Sequence, residues 1–306
     1  MIIAPTTIRN LLKSSSSRTF TTARRNFQAH RLNTNSPYVR SFGNPDTSSL
    51  NAKEDDFLYF PEFFDQAEQE ILLKLALWKL DRVDSSRRRR RRRPALGEEG
   101  SQAGTAEKTG LQRLFDDTSA YGFEDGHFDS VITKYRESLL TAFPNPSAIN
   151  APSYPSIVKR IYDLLPHSPG NSDQPFEQPL QTSTHALHLA PEGHILPHVD
   201  NVDASGTVII GVSLGAERIL RLEEATQQGG KMQIAHRGWD VLLKSGSLYL
   251  QKDSTRYNYA HSILPYSPES TWNESLVSGH RVSLMVRVSQ EYYPPVARSV
   301  YGNSLV

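Results

Sequence analysis

Thr182-Ser-Thr-His-Ala-Leu-His-Leu-Ala190 opens a region in which side-chain character alternates with period two, the spacing of a strand with one buried face. Further strands are predicted at Thr207–Leu214, Arg218–Glu223, Trp239–Leu243, Ser247–Gln251, Tyr257–Ile263 and Arg281–Ser289. Turn formers punctuate them at Pro191-Glu-Gly193, Gly215, Gly229-Gly230, Ser245-Gly246 and Ser278-Gly279. Many short strands at this spacing predict a jelly roll or barrel, with a few helices buttressing one face. The expected fold class is mainly β with supporting helices.

The same region carries residues with chemistry to offer. In Leu-Pro-His198-Val-Asp200-Asn, the histidine and aspartate point to the same side of a strand, so both can reach one metal from a single strand end. His261, in Tyr-Ala-His261-Ser-Ile, is distant in sequence, as a third ligand from another strand would be. Two histidines and one aspartate can bind a divalent iron on one face, leaving the other positions for a co-substrate and oxygen. His-x-Asp alone is a weak motif, and His261 alone reads as a hydrogen-bonded core histidine. The residues that follow change the weighing. Arg281 and Arg287 are six apart, so both face inward on a regular strand, and buried arginines are costly unless they meet anions. A dicarboxylate supplies two, and a bidentate arginine–carboxylate contact is a strong form of such pairing.

The remaining histidines carry less. His185 and His188 lie on opposite faces of their strand and read as structural. His194 precedes His198 by four residues, but Gly193 and Pro197 argue against a helix there. His236 and His280 sit in predicted turns without an obvious carboxylate companion. The chain of 306 residues has no cysteine, which excludes disulfides, thiolate catalysis, zinc–sulfur sites and iron–sulfur clusters. No apolar run approaches the ~18 residues of a membrane-spanning helix.

Ahead of the strands the chain changes character several times. Residues 1–43 are rich in Ser, Thr, Asn and Arg, and no acidic residue precedes Asp46. This composition is expected of a cleaved mitochondrial (matrix) presequence rather than a secretory signal, with a disordered basic tail as the plainer alternative. Subtracting the seven basic residues of this segment from the overall charge of +1 leaves −6 for the rest, so the globular part is acidic. Folded structure is expected from near Asp56. Asp65 with Glu68 reads as a capping box opening an apolar helix, so that 56–82 form a helical segment of the core domain. Residues 83–110, with Arg87–Arg93, read as a disordered, solvated insertion; the arginines could hold RNA phosphates without sequence preference. A core domain is expected over 111–290, with helices at Ser130–Phe143 and Ser156–Leu165, a Pro/Ser/Gly-rich loop over 167–179, and a tail over 291–306.

Taken together, His198-Val-Asp200-Asn, Gly246-Ser-Leu-Tyr249, Arg256-Tyr-Asn-Tyr-Ala-His261-Ser-Ile and Arg281-Val-Ser-Leu-Met-Val-Arg287 resemble the AlkB-like dioxygenases over roughly Thr182 to Ser289. The resemblance implies a double-stranded β-helix with iron(II) held by His198, Asp200 and His261. It implies 2-oxoglutarate held by Tyr249, Arg281 and Arg287, the first two nearest its far carboxylate and Arg287 nearer the chelating end. Turnover with O2 would yield succinate, carbon dioxide and a hydroxylated or demethylated substrate. Two departures bear on that substrate. The Asn-x-Tyr of many nucleic-acid-acting members is replaced by Leu187-His188-Leu189, and their Arg-x-Asn-x-Thr-x-Arg by Arg281-Val-Ser283-Leu-Met285-Val-Arg287. No basic, aromatic hairpin that could flip a base precedes the core. The expectation is a monomeric mitochondrial dioxygenase acting on a protein. The alternatives are an oxidative demethylase of mitochondrial RNA and a non-catalytic jelly-roll interaction protein.

Overall fold

The structure of the protein, a computed structural model, describes residues 19–22, 25–32, 35–43, 52–91, 110–126, 130–165, 182–201, 205–228, 231–268, 272 and 276–288. Its strands are β1 (Thr19–Thr22), β2 (Arg25–Gln28), β3 (Val39–Phe42), β4 (Phe57–Phe60), β5 (Ile132–Leu139), β6 (Thr182–His198), β7 (Val208–Gly215), β8 (Arg218–Gln228), β9 (Lys231–Leu243), β10 (Ser247–Lys252), β11 (Tyr259–Ile263) and β12 (Arg281–Val288). Its helices are α1 (Gln66–Arg91), α2 (Tyr154–Tyr162) and the single turn α3 (Asp253–Tyr257). None of the helices is long and apolar enough to cross a membrane.

One strand organises the rest. The first half of β6 pairs with β12 from Thr182↔Val288 to Leu189↔Arg281, whereas its end pairs with β11 at Ile195↔Ile263 and His198↔His261. A single hydrogen-bonded path thereby becomes two sheets, β5-β6-β12-β7-β10-β4 and β6-β11-β8-β9-β3, with every pairing antiparallel. The corner is the predicted turn at Pro191–Gly193, which bends the strand instead of ending it. Backbone crowds there: a Cβ on Gly193 would lie 2.7 Å from the Lys134 carbonyl oxygen.

Period-two alternation sorts the side chains into layers. Val208, Ile210, Val212 and Leu214 of β7, with Val282, Leu284, Val286 and Val288 of β12, pack against Leu72, Leu75, Ala76 and Leu80 of α1 and Ile157 and Ile161 of α2. The opposite face carries Leu187, Leu189 and Tyr249, which meet Leu220, Leu222, Trp239, Val241 and Tyr259 of the second sheet. Ile219 and Leu242 on the far side of that sheet lie under Trp272 and Leu276. Two facing antiparallel sheets joined by a strand common to both form a double-stranded β-helix, as expected.

The start of α1 is built as its sequence indicates. The Asp65 backbone N–H donates to Glu68 Oε2 at 3.0 Å and the Glu68 N–H to Asp65 Oδ1 at 2.9 Å, the reciprocal bonds of a capping box. Asp65→Ala should lower stability by about 1 kcal/mol in urea unfolding, with the midpoint shifted and the slope unchanged. An unmoved midpoint would mean that the cap contributes nothing beyond solvent hydrogen bonds.

Three expectations are corrected. The predicted helix over 130–143 is absent, and Ile132–Leu139 within it form β5: Tyr135, Arg136, Glu137, Ser138 and Leu139 pair with Leu189 to His185 of β6, and this edge pairing overrides the helix propensity of Lys, Arg and Glu. The insertion does not begin at residue 83, because α1 continues through Arg91. Arginine is a good helix former, and like-charge repulsion at helical spacing costs only ~0.2–0.5 kcal/mol per pair. Finally, the fold begins ahead of Asp56. Val39–Phe42 pair with Val241–Gly238, and Phe27, Leu32 and Val39 are buried. The segment 1–43 is therefore not wholly a separate leader. Residues 92–109, the loop 167–179 and the tail from 291 lie outside the described residues.

Candidate active site

The bend in β6 decides where the histidines meet. His198 ends β6 and is the direct cross-strand partner of His261 on β11. Such partners sit side by side on one face, and the two imidazole centroids are 4.2 Å apart. Asp200 follows two residues after the strand ends, with Oδ1 3.4 Å from His198 Nε2 and 3.8 Å from His261 Nε2. One donor atom from each residue lies within 4.8 Å of the others. Cis ligands of an octahedral ion with bonds of roughly 2.1 Å sit about 3 Å apart, so these donors need close only slightly around a metal.

Their protonation states suit that use. His198 Nδ1 is 2.9 Å from the Leu196 carbonyl oxygen, which can only accept, so Nδ1 carries the hydrogen and Nε2 presents its lone pair toward Asp200. Burial, then the neighbouring His198, pushes His261 down to about 3, leaving it neutral at neutral pH. Burial by itself would raise the Asp200 carboxyl. Hydrogen bonding from His198 and the charge of His261 in their protonated forms, with Arg287, outweigh it and hold the group well below the usual carboxylate range. The Arg287 pair persists where the histidines are uncharged: Arg287 Nε donates to Asp200 Oδ2 at 2.9 Å, leaving Oδ1 for the histidines.

A further arginine holds the backbone of this corner. Arg256, buried on α3, donates from one terminal nitrogen to the Asp200 carbonyl at 3.0 Å and from the other to Ser205 Oγ at 2.9 Å. α3 is itself tied down, since the Ser254 N–H donates to the buried Asp56 Oδ2 at 2.9 Å. Arg256 stands within a quoted motif but had no role assigned from sequence, because its partners, the carbonyls of Asp200 and Asn201 and the Ser205 hydroxyl, form no residue pattern that announces it.

The second part of the site lies deeper between the sheets. Arg281 and Arg287 both face inward on β12, since the residues between and beyond them, Val282, Leu284, Val286 and Val288, fill the helix-side core. Arg281 is 1% exposed, and its Nε donates to Ser213 Oγ at 3.1 Å. Among the described residues no carboxylate pairs with it. Burial pushes its guanidinium down to about 10, so it stays charged at neutral pH. A buried cation without a counter-charge costs several kcal/mol, which an anionic ligand would offset. Ser283 Oγ, two residues along the same face, is buried with no hydrogen-bond partner among the described residues. Tyr249 completes the group, buried and stacked on Phe57 at 6.0 Å between ring centroids and 14° between planes. Cation, free hydroxyl and phenol form a cradle of the right chemistry for a carboxylate. Of the six residues picked out from the sequence, His198, Asp200 and His261 cluster, Arg287 is bonded to Asp200, and Arg281 and Tyr249 face inward on β12 and β10.

The other histidines separate as their strand faces require. His188 is wholly buried on the helix side, accepting at Nδ1 from Arg136 Nε at 2.9 Å and facing His280 Nδ1 at 3.1 Å through Nε2. That chain is structural. His185 faces inward, where the charges of Arg287 and Asp200 both reach it, so it sits nearer the chemistry than its structural reading allowed. His236 does have a carboxylate companion, Glu223 at 3.3 Å, but on the surface.

Comparison with known proteins agrees with this chemistry. The family model described as the 2OG-Fe(II) oxygenase superfamily matches residues 186–287. The bovine (Bos taurus) alpha-ketoglutarate-dependent dioxygenase alkB homolog 7, mitochondrial, is 31% identical over 193 residues, covering 62% of this chain and 77% of the bovine protein. Its mouse (Mus musculus) counterpart is 30% identical over 174 residues, 56% of this chain and 68% of the mouse protein. Among solved structures, a Pseudomonas putida prolyl-4-hydroxylase aligns with TM-score 0.38 and 13% identity, over 76% of this chain and 92% of that one. The protein is a member of the AlkB family of iron(II)- and 2-oxoglutarate-dependent dioxygenases.

Proposed function

We propose that His198, Asp200 and His261 hold a single iron(II), that Arg281, Tyr249 and Ser283 hold the far carboxylate of 2-oxoglutarate, and that the substrate is a mitochondrial protein. One observation supports the site assignment: three metal donors cluster within 4.8 Å of one another, and a buried arginine without a carboxylate partner among the described residues lies on the inward face of β12. Iron(II), when bound with the co-substrate, supplies the oxygen chemistry that yields succinate, carbon dioxide and an oxidised substrate. The chain's own residues bind and orient. Arg287 fixes the Asp200 carboxylate with Oδ1 toward the histidines, on the side where the 2-oxo acid end would lie. Leu187, Leu189, Leu220 and Leu222 pack with Tyr249 in the core between the sheets.

The protein substrate is favoured by electrostatics. The segment entering the core, residues 110–139, has only three basic residues, and each is in an ion pair: Arg113 with Glu70, Lys134 with Asp125, Arg136 with Asp81. The carboxylates beside them lower the positive potential that phosphates would meet ahead of the site. The mitochondrial assignment rests on the relatives' names and on the acid-free, basic first 45 residues. A processed N-terminus should lie upstream of Phe27, since Phe27, Leu32 and Val39 are buried in the core. N-terminal analysis of the mature protein placing it beyond Val39 would contradict that.

The substrate class is tested by succinate formation in the presence of matrix protein or of N-methylated mitochondrial RNA. Matrix protein should stimulate turnover above the uncoupled rate. Stimulation by RNA alone, with release of formaldehyde, would instead establish the demethylase reading.

A further inference from the structure

We propose that Gly211 is a positioning residue for 2-oxoglutarate: its missing side chain is the seat that holds the Tyr249 phenol over β7, near Arg281. The inference rests on the reading of Tyr249 and Arg281 as co-substrate contacts. Gly211 and Ser213 are two apart on β7 and face the same way, into the space between the sheets. Each supports one of those contacts. Ser213 Oγ accepts the Arg281 Nε hydrogen bond at 3.1 Å. Gly211 is the direct cross-strand partner of Tyr249 on β10 and, on its other side, of Met285 on β12.

The phenol lies across this glycine. A Cβ built on Gly211 would fall 2.2 Å from Tyr249 Cζ, 2.3 Å from Cε1 and 2.5 Å from the hydroxyl oxygen, far inside van der Waals contact. β10 and β12 are separated by β7, and with about 4.8 Å between neighbouring strands their axes lie roughly 10 Å apart. Tyr249 therefore reaches toward the arginines of β12 by crossing β7, and position 211 is where it crosses. Contacts this short with ring carbons and the hydroxyl oxygen cannot be kept, so any side chain at 211 must displace the phenol, whose ring also stacks on Phe57. Gly211 is in an ordinary strand, not in the left-handed region, so alanine there is excluded by the ring and not by the backbone.

The test is a calorimetric titration of 2-oxoglutarate into the manganese(II)-loaded protein, for the wild type, Gly211→Ala, Tyr249→Phe and the double variant. Gly211→Ala should weaken binding about tenfold, the scale of one lost hydrogen bond to a charged group, and Tyr249→Phe should do the same. The double variant should bind no more weakly than Tyr249→Phe, because the hydroxyl is already gone. Manganese content should not change. Wild-type affinity in a folded Gly211→Ala would overturn the proposal, as would a tenfold effect repeated in the Tyr249→Phe background. Should Gly211→Ala fail to fold, Tyr249→Ala removes the clash; Gly211→Ala added to it should leave affinity untouched, and a further loss would overturn the proposal. If Tyr249→Phe and Arg281→Ala themselves leave affinity unchanged, the co-substrate reading fails, a result distinct from failure of Gly211→Ala alone.

Discussion

Asp200→Ala should abolish stable iron(II) binding and, with it, formation of succinate from 2-oxoglutarate. Asp200 is the only anionic member of the donor group and the one whose Oδ1 stands near both histidine nitrogens. Loss of an outer-shell partner of a metal ligand typically costs 10–100-fold in affinity, so loss of a ligand should exceed a hundredfold. The alanine variant also strands Arg287, whose Nε hydrogen bond goes to the same carboxylate. Asp200→Asn separates the two effects, since its amide oxygen can still accept from Arg287 while the charge is gone. Metal content after gel filtration, beside thermal unfolding of the metal-free proteins, reads both. Full turnover by Asp200→Ala would rule out Asp200 as a ligand. An unfolded Asp200→Ala beside a folded, metal-free Asp200→Asn would show that Arg287 needs its partner for stability.

Arg281→Ala should weaken 2-oxoglutarate binding by about ten- to a hundredfold or more while leaving iron binding intact. A hydrogen bond to a charged group contributes ~1.5–3 kcal/mol, and 1.4 kcal/mol is tenfold. The effect on the metal-free protein should have the opposite character. Arg281 is buried, charged at neutral pH and without a carboxylate partner among the described residues, so its removal should leave stability unchanged or raise it. That combination distinguishes a ligand-binding arginine from a structural one. A structural arginine would give lower stability with an unchanged dissociation constant. Arg281→Lys should recover part of the affinity, because an ammonium keeps the charge but lacks the forked geometry.

Much of this was legible in the chain, and where it was not the reasons are physical. Period two marked β12 because one face is apolar against the helices while the other carries Arg281, Ser283 and Arg287, whereas β7, buried on both faces, shows as an apolar run between turn formers. The capping box at Asp65 and Glu68 is a local signal and held. β5 was misread because Lys134, Arg136 and Glu137 are helix formers whose strand state comes only from pairing with β6, a partner some fifty residues away. The start of the fold was placed too late because basic composition masked Phe27, Leu32 and Val39, three apolar residues spaced too widely to show a period. Arg256 and Gly211 were invisible for a common reason. One acts on backbone carbonyls and the other by lacking a side chain, and neither leaves a pattern in the sequence.

The most direct test of the account is turnover of the purified, iron-loaded protein with 2-oxoglutarate under isotopically heavy dioxygen, followed by mass spectrometry of the succinate. One heavy oxygen atom is expected in each succinate released, and that label should disappear in Asp200→Ala. Consumption of 2-oxoglutarate without label in succinate, or none at all by the folded, iron-loaded wild type, would contradict it.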